Sequence, residues 1–288
     1  MSFILYIFAE NKIFIVMNTL DNIIKESIDN IINEGIDFDP MTRTVAYNPS
    51  HEDNVDTSIE NNPTLDSQIV SGVNVWSIFK RKKGNKLDGN PLVYALKNEG
   101  GWHFRSQEDA DSVEKQFHLI AEKFASIYPI GVTIIIPSGN QLNTHIAEVV
   151  MSKSENAKLI QGVIRKMTTE EVNDIVMEGE SKFREYYGNN FNAAYYQLLD
   201  YLEKMNKERN GTFSRHFIKD PNMRNVLDMT LKVSEDSYAR FANTINGQHV
   251  LLIDDTISRG QTIKNACSIL MESYAPKSIT VLTLLSKL

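Results

Sequence analysis

The stretch from His249 to Leu285 constrains the fold more than any other part of the chain. Val250-Leu-Leu-Ile253 is a short apolar run, and Asp254 to Gln261 is polar. From Thr262 to Tyr274 apolar residues return at helical spacing, with Ile263, Ala266, Cys267, Leu270, Met271 and Tyr274 on one side. Ala275-Pro276 ends that helix, and Ser278-Ile-Thr-Val-Leu-Thr-Leu-Leu285 is the next strand. A strand, a helix and a strand in this order join parallel neighbours through a right-handed crossover, whereas antiparallel neighbours need only a short turn. A parallel sheet is therefore expected.

A second strand, loop and helix lie upstream. Gly131-Val-Thr-Ile-Ile-Ile136 is an almost unbroken β-branched run, the pattern of a strand covered on both faces. It stops at Pro137-Ser-Gly-Asn140, and a helix from about Leu142 to Val150 is predicted. Before it, Val113, Phe117, Ile120, Ala121 and Phe124 mark an amphipathic helix between Ser106 and Ser126, with acids at its start. Val73 to Phe79 alternates as a strand, the basic run Lys80-Arg-Lys-Lys83 with Lys86 follows, and Asp88-Gly89 marks a turn. Thr168 and Glu171 have capping-box spacing ahead of Val172, Ile175 and Val176. The aromatic residues from Phe183 to Tyr196 then suit the packing of a helical insertion. Phe213 to Lys219 and Leu227 to Val233 read as strands around a turn at Asp220-Pro221-Asn222.

The segment from about Asp37 to Gln68 is rich in Asn, Asp, Ser, Thr and Pro and reads as loop or linker. The expected organisation is an N-terminal appendage and linker over residues 1–70. An α/β domain over 71–288 follows, with a helical insertion at about 166–210. Phe3-Ile-Leu-Tyr-Ile-Phe-Ala9 reads as an added strand, because it has no basic start and Glu10, Asn11 and Lys12 interrupt it. Met17 is an alternative start.

Composition narrows the function classes. A net charge of −7 argues against general nucleic-acid binding, so a polyanionic ligand must be met by local cations. One cysteine, Cys267, permits no internal disulfide and no thiolate metal cluster, which fits a cytoplasmic location. No apolar run is long enough for a membrane span, and no His pair has metal-ligand spacing.

The chemistry concentrates after Ile253. In an open α/β sheet, ligands bind beyond the carboxyl ends of the strands, where loops enter helix N-termini. Asp254 and Asp255 stand there as paired acceptors, suited to the vicinal hydroxyls of a sugar. Gly260 lets backbone amides turn inward; Thr256, Ser258 and Thr262 add hydroxyls, and Arg259 adds a cation. The following helix contributes unpaired N–H groups and a dipole worth about 0.3–2 kcal/mol to an anion. Several donors acting together are needed to hold a phosphate monoester.

Val250 to Thr262 resembles the thirteen-residue phosphoribosyl-pyrophosphate signature of type I phosphoribosyltransferases. The resemblance implies a Rossmann-like parallel sheet, with a helical insertion and an N-terminal appendage in this chain. It also implies that Asp254 and Asp255 hold the ribose hydroxyls, and that Thr256, Ile257, Ser258, Arg259, Gly260, Gln261 and Thr262 wrap the 5-phosphate. Ser138, Gly139 and Asn140 are in order to be the pyrophosphate loop. Arg215, Lys219 and Arg224 could sit on a hood. Mg2+ is implied, with Asp254 and Asp255 as partners directly or through water. The layout is similar to the ComF-like branch. The wording also resembles glutamine amidophosphoribosyltransferases, but this chain has no cysteine before Cys267 to serve as their N-terminal nucleophile. Two functions stay open: transfer of phosphoribose to a nitrogen base or amine with release of pyrophosphate, and a non-catalytic module that binds phosphoribosyl pyrophosphate or a nucleotide. A homo-oligomer is compatible with either.

Overall fold

The computed structural model describes residues 34–51, 53–66, 70–82, 90–154, 157–178, 181–227, 230–257 and 260–286. The expected strand at Phe3 to Ala9, the alternative start at Met17 and the turn at Asp88-Gly89 lie outside them.

Five parallel strands form the centre. They are β5 (Asn74–Arg81), β7 (Val132–Ile135), β8 (Lys158–Ile160), β11 (His249–Ile257) and β12 (Ser278–Ser286), in the spatial order β5-β12-β11-β7-β8. The expected parallel sheet is present. β11 sits between β7 and β12, which explains its apolar composition: Val250, Leu251, Leu252 and Ile253 are all buried.

Helices cover both faces. On one lie α1 (Asn90–Lys97), α2 (Gln107–Ile127) and α3 (Leu142–Ser152), whose Leu92, Phe117, Phe124 and Ile146 share a core with Leu251 and Ile253. On the other lies α9 (Gln261–Ser273), whose Ile263, Ala266, Cys267 and Leu270 pack with Val250, Leu252 and Val281. The apolar stripe that the sequence shows between Ile263 and Tyr274 is this buried face. Ser106 caps α2 by accepting from Asp109 N at 3.1 Å.

The linker expected between Asp37 and Gln68 is instead an antiparallel extension of the sheet. β1 (Gly35–Asp39), β2 (Thr44–Asn48), β3 (Val55–Asp56) and β4 (Thr64–Leu65) form there, and β3 and β4 both pair with β5. With the short β6 (His103–Phe104) they continue the sheet in the order β6-β2-β1-β3-β5. Tertiary packing overrides polar composition here. Ile36, Val45 and Val55 are fully buried in the core that includes Leu282, so a few apolar residues anchor each strand.

The helical insertion has a core of its own. α4 (Thr169–Met177), α5 (Lys182–Tyr187) and α6 (Phe191–Arg209) enclose Phe183, Phe191, Leu198 and Leu202. That core runs past residue 210 to Phe213, Met223 and Leu227. The strand expected at Phe213 to Lys219 contains a 3-10 turn, Arg215–Phe217, and the Asp-Pro-Asn turn opens α7 (Pro221–Val226). Asp220 accepts from Asn222 N at 2.8 Å, and Pro221 at the first helical position loses no hydrogen bond. β9 (Ile164–Lys166) and β10 (Leu231–Val233) form a separate two-stranded ribbon, tied to α9 by Asn265 Oδ1, which accepts from Thr230 N and Leu231 N. α8 (Ser237–Ile245) then leads into β11. No helix among the described residues is long and apolar enough to cross a membrane.

Candidate functional site

The connections leaving β7 and β11 diverge. β7 passes through α3 to β8 on one side, while β11 passes through α9 to β12 on the other, with α3 and α9 on opposite faces. A crevice opens where neighbouring parallel strands part in this way, beyond their carboxyl ends. The ladder between them stops at Ile253 and Ile135, closed by Ile136 N donating to Ile253 O at 2.9 Å. Asp254 is the next residue of β11.

β11 does not end at Ile253 as the polar run suggests. Thr256 and Ile257 still pair with Leu285 and Ser286 of β12, so the strand is nine residues long. The acidic pair therefore rests on a regular strand, not on a turning backbone, and the two carboxylates take different partners. Asp254 is buried, and its Oδ1 accepts from Asn143 Nδ2 at 3.3 Å and from Asp255 N at 3.0 Å. Asn143, in the first turn of α3, also donates to Ile136 O at 3.0 Å and so locks the end of β7 to the pair. Asp255 Oδ2 lies 2.5 Å from Lys97 Nζ, at the end of α1, and its Oδ1 accepts from Thr256 Oγ1 at 2.9 Å.

Cations approach these acids from two elements, and a third cation stands behind them. Besides Lys97, Lys166 at the end of β9 feels both Asp254 and Asp255, and Arg209 at the end of α6 acts on Lys166. Burial, Arg209 and Lys97 hold the Lys166 ammonium below its usual pKa, while the two aspartates oppose that shift. Burial raises the Asp254 carboxyl, and neighbouring Asp255 raises it further; the Asp255 amide, Asn143 and Lys97 pull the other way. Lys97 and Lys166 beside the acids, and Arg209 beside the Gly139 loop, are cations local to this end of the sheet on a chain of net charge −7, where a polyanionic ligand would need them.

The other residues singled out from sequence fall around this centre. Gly260 has φ 71° and stands immediately before α9, a conformation that favours glycine. Gln261 and Thr262 open α9, whose first amides have no partner within the helix. Ile257 is buried in the core, so only its backbone is free to meet a ligand. Ser258 and Arg259 lie outside the described residues. Ser138, Gly139 and Asn140 follow β7 as expected, and Asn140 Oδ1 accepts from Leu142 N at 3.0 Å, shaping the entry to α3. Arg209 borders this loop: a Cβ at Gly139 would stand 3.8 Å from its Nη2.

Of the hood cations expected from sequence, Arg215 donates to the Arg224 carbonyl at 2.5 Å and Lys219 is exposed. The structure instead brings Lys166 to the acidic pair and Arg209 to Lys166 and the Gly139 loop. Neither stands in a recognisable motif; only the pairing of β9 with β10 and the return of α6 place them. His249, at the start of β11, is at the far end of that strand from the acids and bonds Ser278 Oγ at 2.7 Å.

Residues 204–288 match the family model described as the phosphoribosyl transferase domain. The match begins in α6 and runs through β11, α9 and β12; β7, Asn143, Lys166 and Lys97 precede it. No curated protein matches the chain.

Proposed function

We propose, from the match of residues 204–288 to the phosphoribosyl transferase domain, that the chain binds phosphoribosyl pyrophosphate as type I phosphoribosyltransferases do and transfers phosphoribose to a nitrogen base or amine. One observation carries this reading: Asp254 and Asp255 stand at the divergence of β7 and β11, between the Pro137 to Asn140 loop and the N-terminus of α9. In that frame the acids accept from the ribose hydroxyls. Gly260, the α9 amides and the Thr262 hydroxyl hold the 5-phosphate, with Ser258 and Arg259 of the same loop. Ser138, Gly139 and Asn140, beside Arg209 and Lys166, meet the pyrophosphate. The bond from C1 to the pyrophosphate oxygen breaks and a bond from C1 to nitrogen forms. The acceptor loses a proton, pyrophosphate leaves, and the carboxylates stabilise the positive charge that develops on the sugar.

The donor set suits Mg2+ in one specific way. Carboxylate oxygens are the hard ligands that Mg2+ prefers. Among the described residues, however, no group of three or more His, Cys, Asp or Glu is placed to hold a metal by itself. Asp254 and Asp255 would share the ion with substrate phosphates and water, and the ion would offset charge on the leaving pyrophosphate.

Calorimetry with phosphoribosyl pyrophosphate and Mg2+ tests the site. Binding is expected for the unmodified chain and a loss of at least tenfold for the Asp254→Asn, Asp255→Asn double variant; full-strength binding by that variant overturns the assignment. A pyrophosphate-release assay across bases and amines tests the transfer. The second reading, a binding module without turnover, draws on the engagement of both Asp255 oxygens by Lys97 and Thr256. Tight binding with no pyrophosphate released by any acceptor would favour it.

A further inference from the structure

Lys97 reaches Asp255 from outside both the signature and the matched segment. It is the last residue of α1, whose Leu92, Val93 and Ala95 are buried in the core that holds Leu251 and Ile253 of β11. The helix is thus pinned to the sheet by its apolar face. The turn after it is fixed too: Asn98, Gly100 and Gly101 have positive φ, and Arg43 Nη1 donates to Gly100 O at 2.8 Å. Lys97 is therefore delivered to Asp255 by packed structure and not by a loose surface chain.

The contact is sheltered. The Lys97 and Asp255 side chains are 12% and 14% exposed. A pair removed from water is screened far less than a surface bridge, and breaking one leaves a poorly solvated charge behind. Thr256 bonds Oδ1 and Lys97 lies against Oδ2, so a hard cation or sugar hydroxyl approaching Asp255 at Oδ2 meets the Lys97 ammonium.

We infer that Lys97 is a resident counter-ion of Asp255, standing where the ligand's hydroxyls or a shared metal ion would stand, and that ligand entry displaces it. Lys97 is a positioning residue: it keeps Asp255 oriented and keeps a divalent cation from settling on the acids alone. The cation then enters together with the phosphates that complete its shell, and occupancy is transmitted to the end of α1. The ligand named here rests on the phosphoribosyl pyrophosphate reading; the competition between Lys97 and a cation rests only on the geometry.

The test uses the full chain and Mn2+ alone as the probe, followed by electron paramagnetic resonance. Lys97→Met is expected to bind Mn2+ at least tenfold more tightly than the unmodified chain, and a Lys97→Met, Asp255→Asn double variant is expected to lose that gain. Unchanged Mn2+ affinity in a Lys97→Met protein that keeps its circular dichroism spectrum overturns the inference. Should Lys97→Met fail to fold, Asp255→Asn alone decides: blocked by Lys97, Asp255 contributes little, so Mn2+ affinity should hardly change, and a tenfold loss overturns the idea. Hydrogen exchange over residues 90–97 is expected to quicken when phosphoribosyl pyrophosphate and Mg2+ are added; slower exchange there also counts against it. Tightened Mn2+ binding in Lys97→Met without any binding of phosphoribosyl pyrophosphate would refute the sugar-phosphate reading and uphold the lysine's role. The reverse pattern would do the opposite.

Discussion

Asn143 shows how much of the site depends on one side chain. Its Nδ2 joins the end of β7 to Asp254, while its Oδ1 is buried with no hydrogen-bond partner among the described residues. Buried polar atoms are nearly always paired, and an orphaned acceptor costs about 1–3 kcal/mol. The side chain thereby orients the Asp254 carboxylate against the end of β7. Asn143→Leu takes a donor from two buried acceptors, Ile136 O and Asp254 Oδ1, while removing the orphan, so a loss of about 1–3 kcal/mol in urea unfolding is expected. Affinity for phosphoribosyl pyrophosphate should fall by tenfold or more, as Asp254 loses its donor. A large stability loss with unchanged affinity would mark Asn143 as structural only. Lys97, Lys166 and Arg209 teach a related lesson: single charged residues in three separate elements carry no local pattern, and only the fold gathers them.

Among the elements, the ribbon of β9 and β10 and the helix α4 form a clamped unit beside the site. Thr168 and Glu171 make the capping box visible in the sequence, with Glu171 N donating to Thr168 Oγ1 at 3.1 Å and Thr168 N to Glu171 Oε2 at 2.9 Å. The structure adds Arg165, which donates to both Glu171 oxygens at 2.7 Å, and Lys232 at 3.0 Å. Thr168→Ala is expected to lower stability by about 0.5–2 kcal/mol in chemical denaturation. The Arg165 guanidinium holds the Glu171 carboxyl well below the usual carboxylate range, the Thr168 amide and Lys232 adding to the effect. A folded-state pKa below the unfolded one contributes stability that is complete above the unfolded value, about 4.3, and lost as pH falls through the folded value. Between pH 5 and pH 3 the unmodified chain should therefore lose its thermal advantage over Glu171→Gln only in part. A parallel decline of the two would show that this carboxylate does not set the acid response. Because Lys166 ends β9, loosening this clamp should also weaken ligand affinity more than a distant cap would.

For the molecule as a whole, the polar N-terminal stretch proves to be part of the sheet. Three of its residues, Ile36, Val45 and Val55, are fully buried with Leu282. Each such side chain is worth roughly 1.5–3 kcal/mol, against a total stability of about 5–15 kcal/mol for a typical domain. A chain lacking residues 1–66 is thus expected to lose cooperative unfolding by circular dichroism; retention of a sharp transition within a few degrees of the full chain would show this layer to be dispensable. The sequence alone determined the parallel centre, since apolar β-branched runs separated by amphipathic helices admit little else, and it located the acidic pair, Gly260 and α9. It misjudged residues 37–68 because alternating burial in strands of two to five residues leaves too few apolar positions to outweigh Asn, Asp and Pro. It placed the end of β11 too early because polar residues at the mouth of a crevice remain in a ladder when a longer neighbour, here β12, continues beside them. What only the tertiary structure decided is which charges face Asp254 and Asp255. Local periodicity encodes which side of an element is apolar, whereas the approach of α1, β9 and α6 to one strand end depends on contacts between residues far apart in the sequence, Lys97 and Asp255 above all.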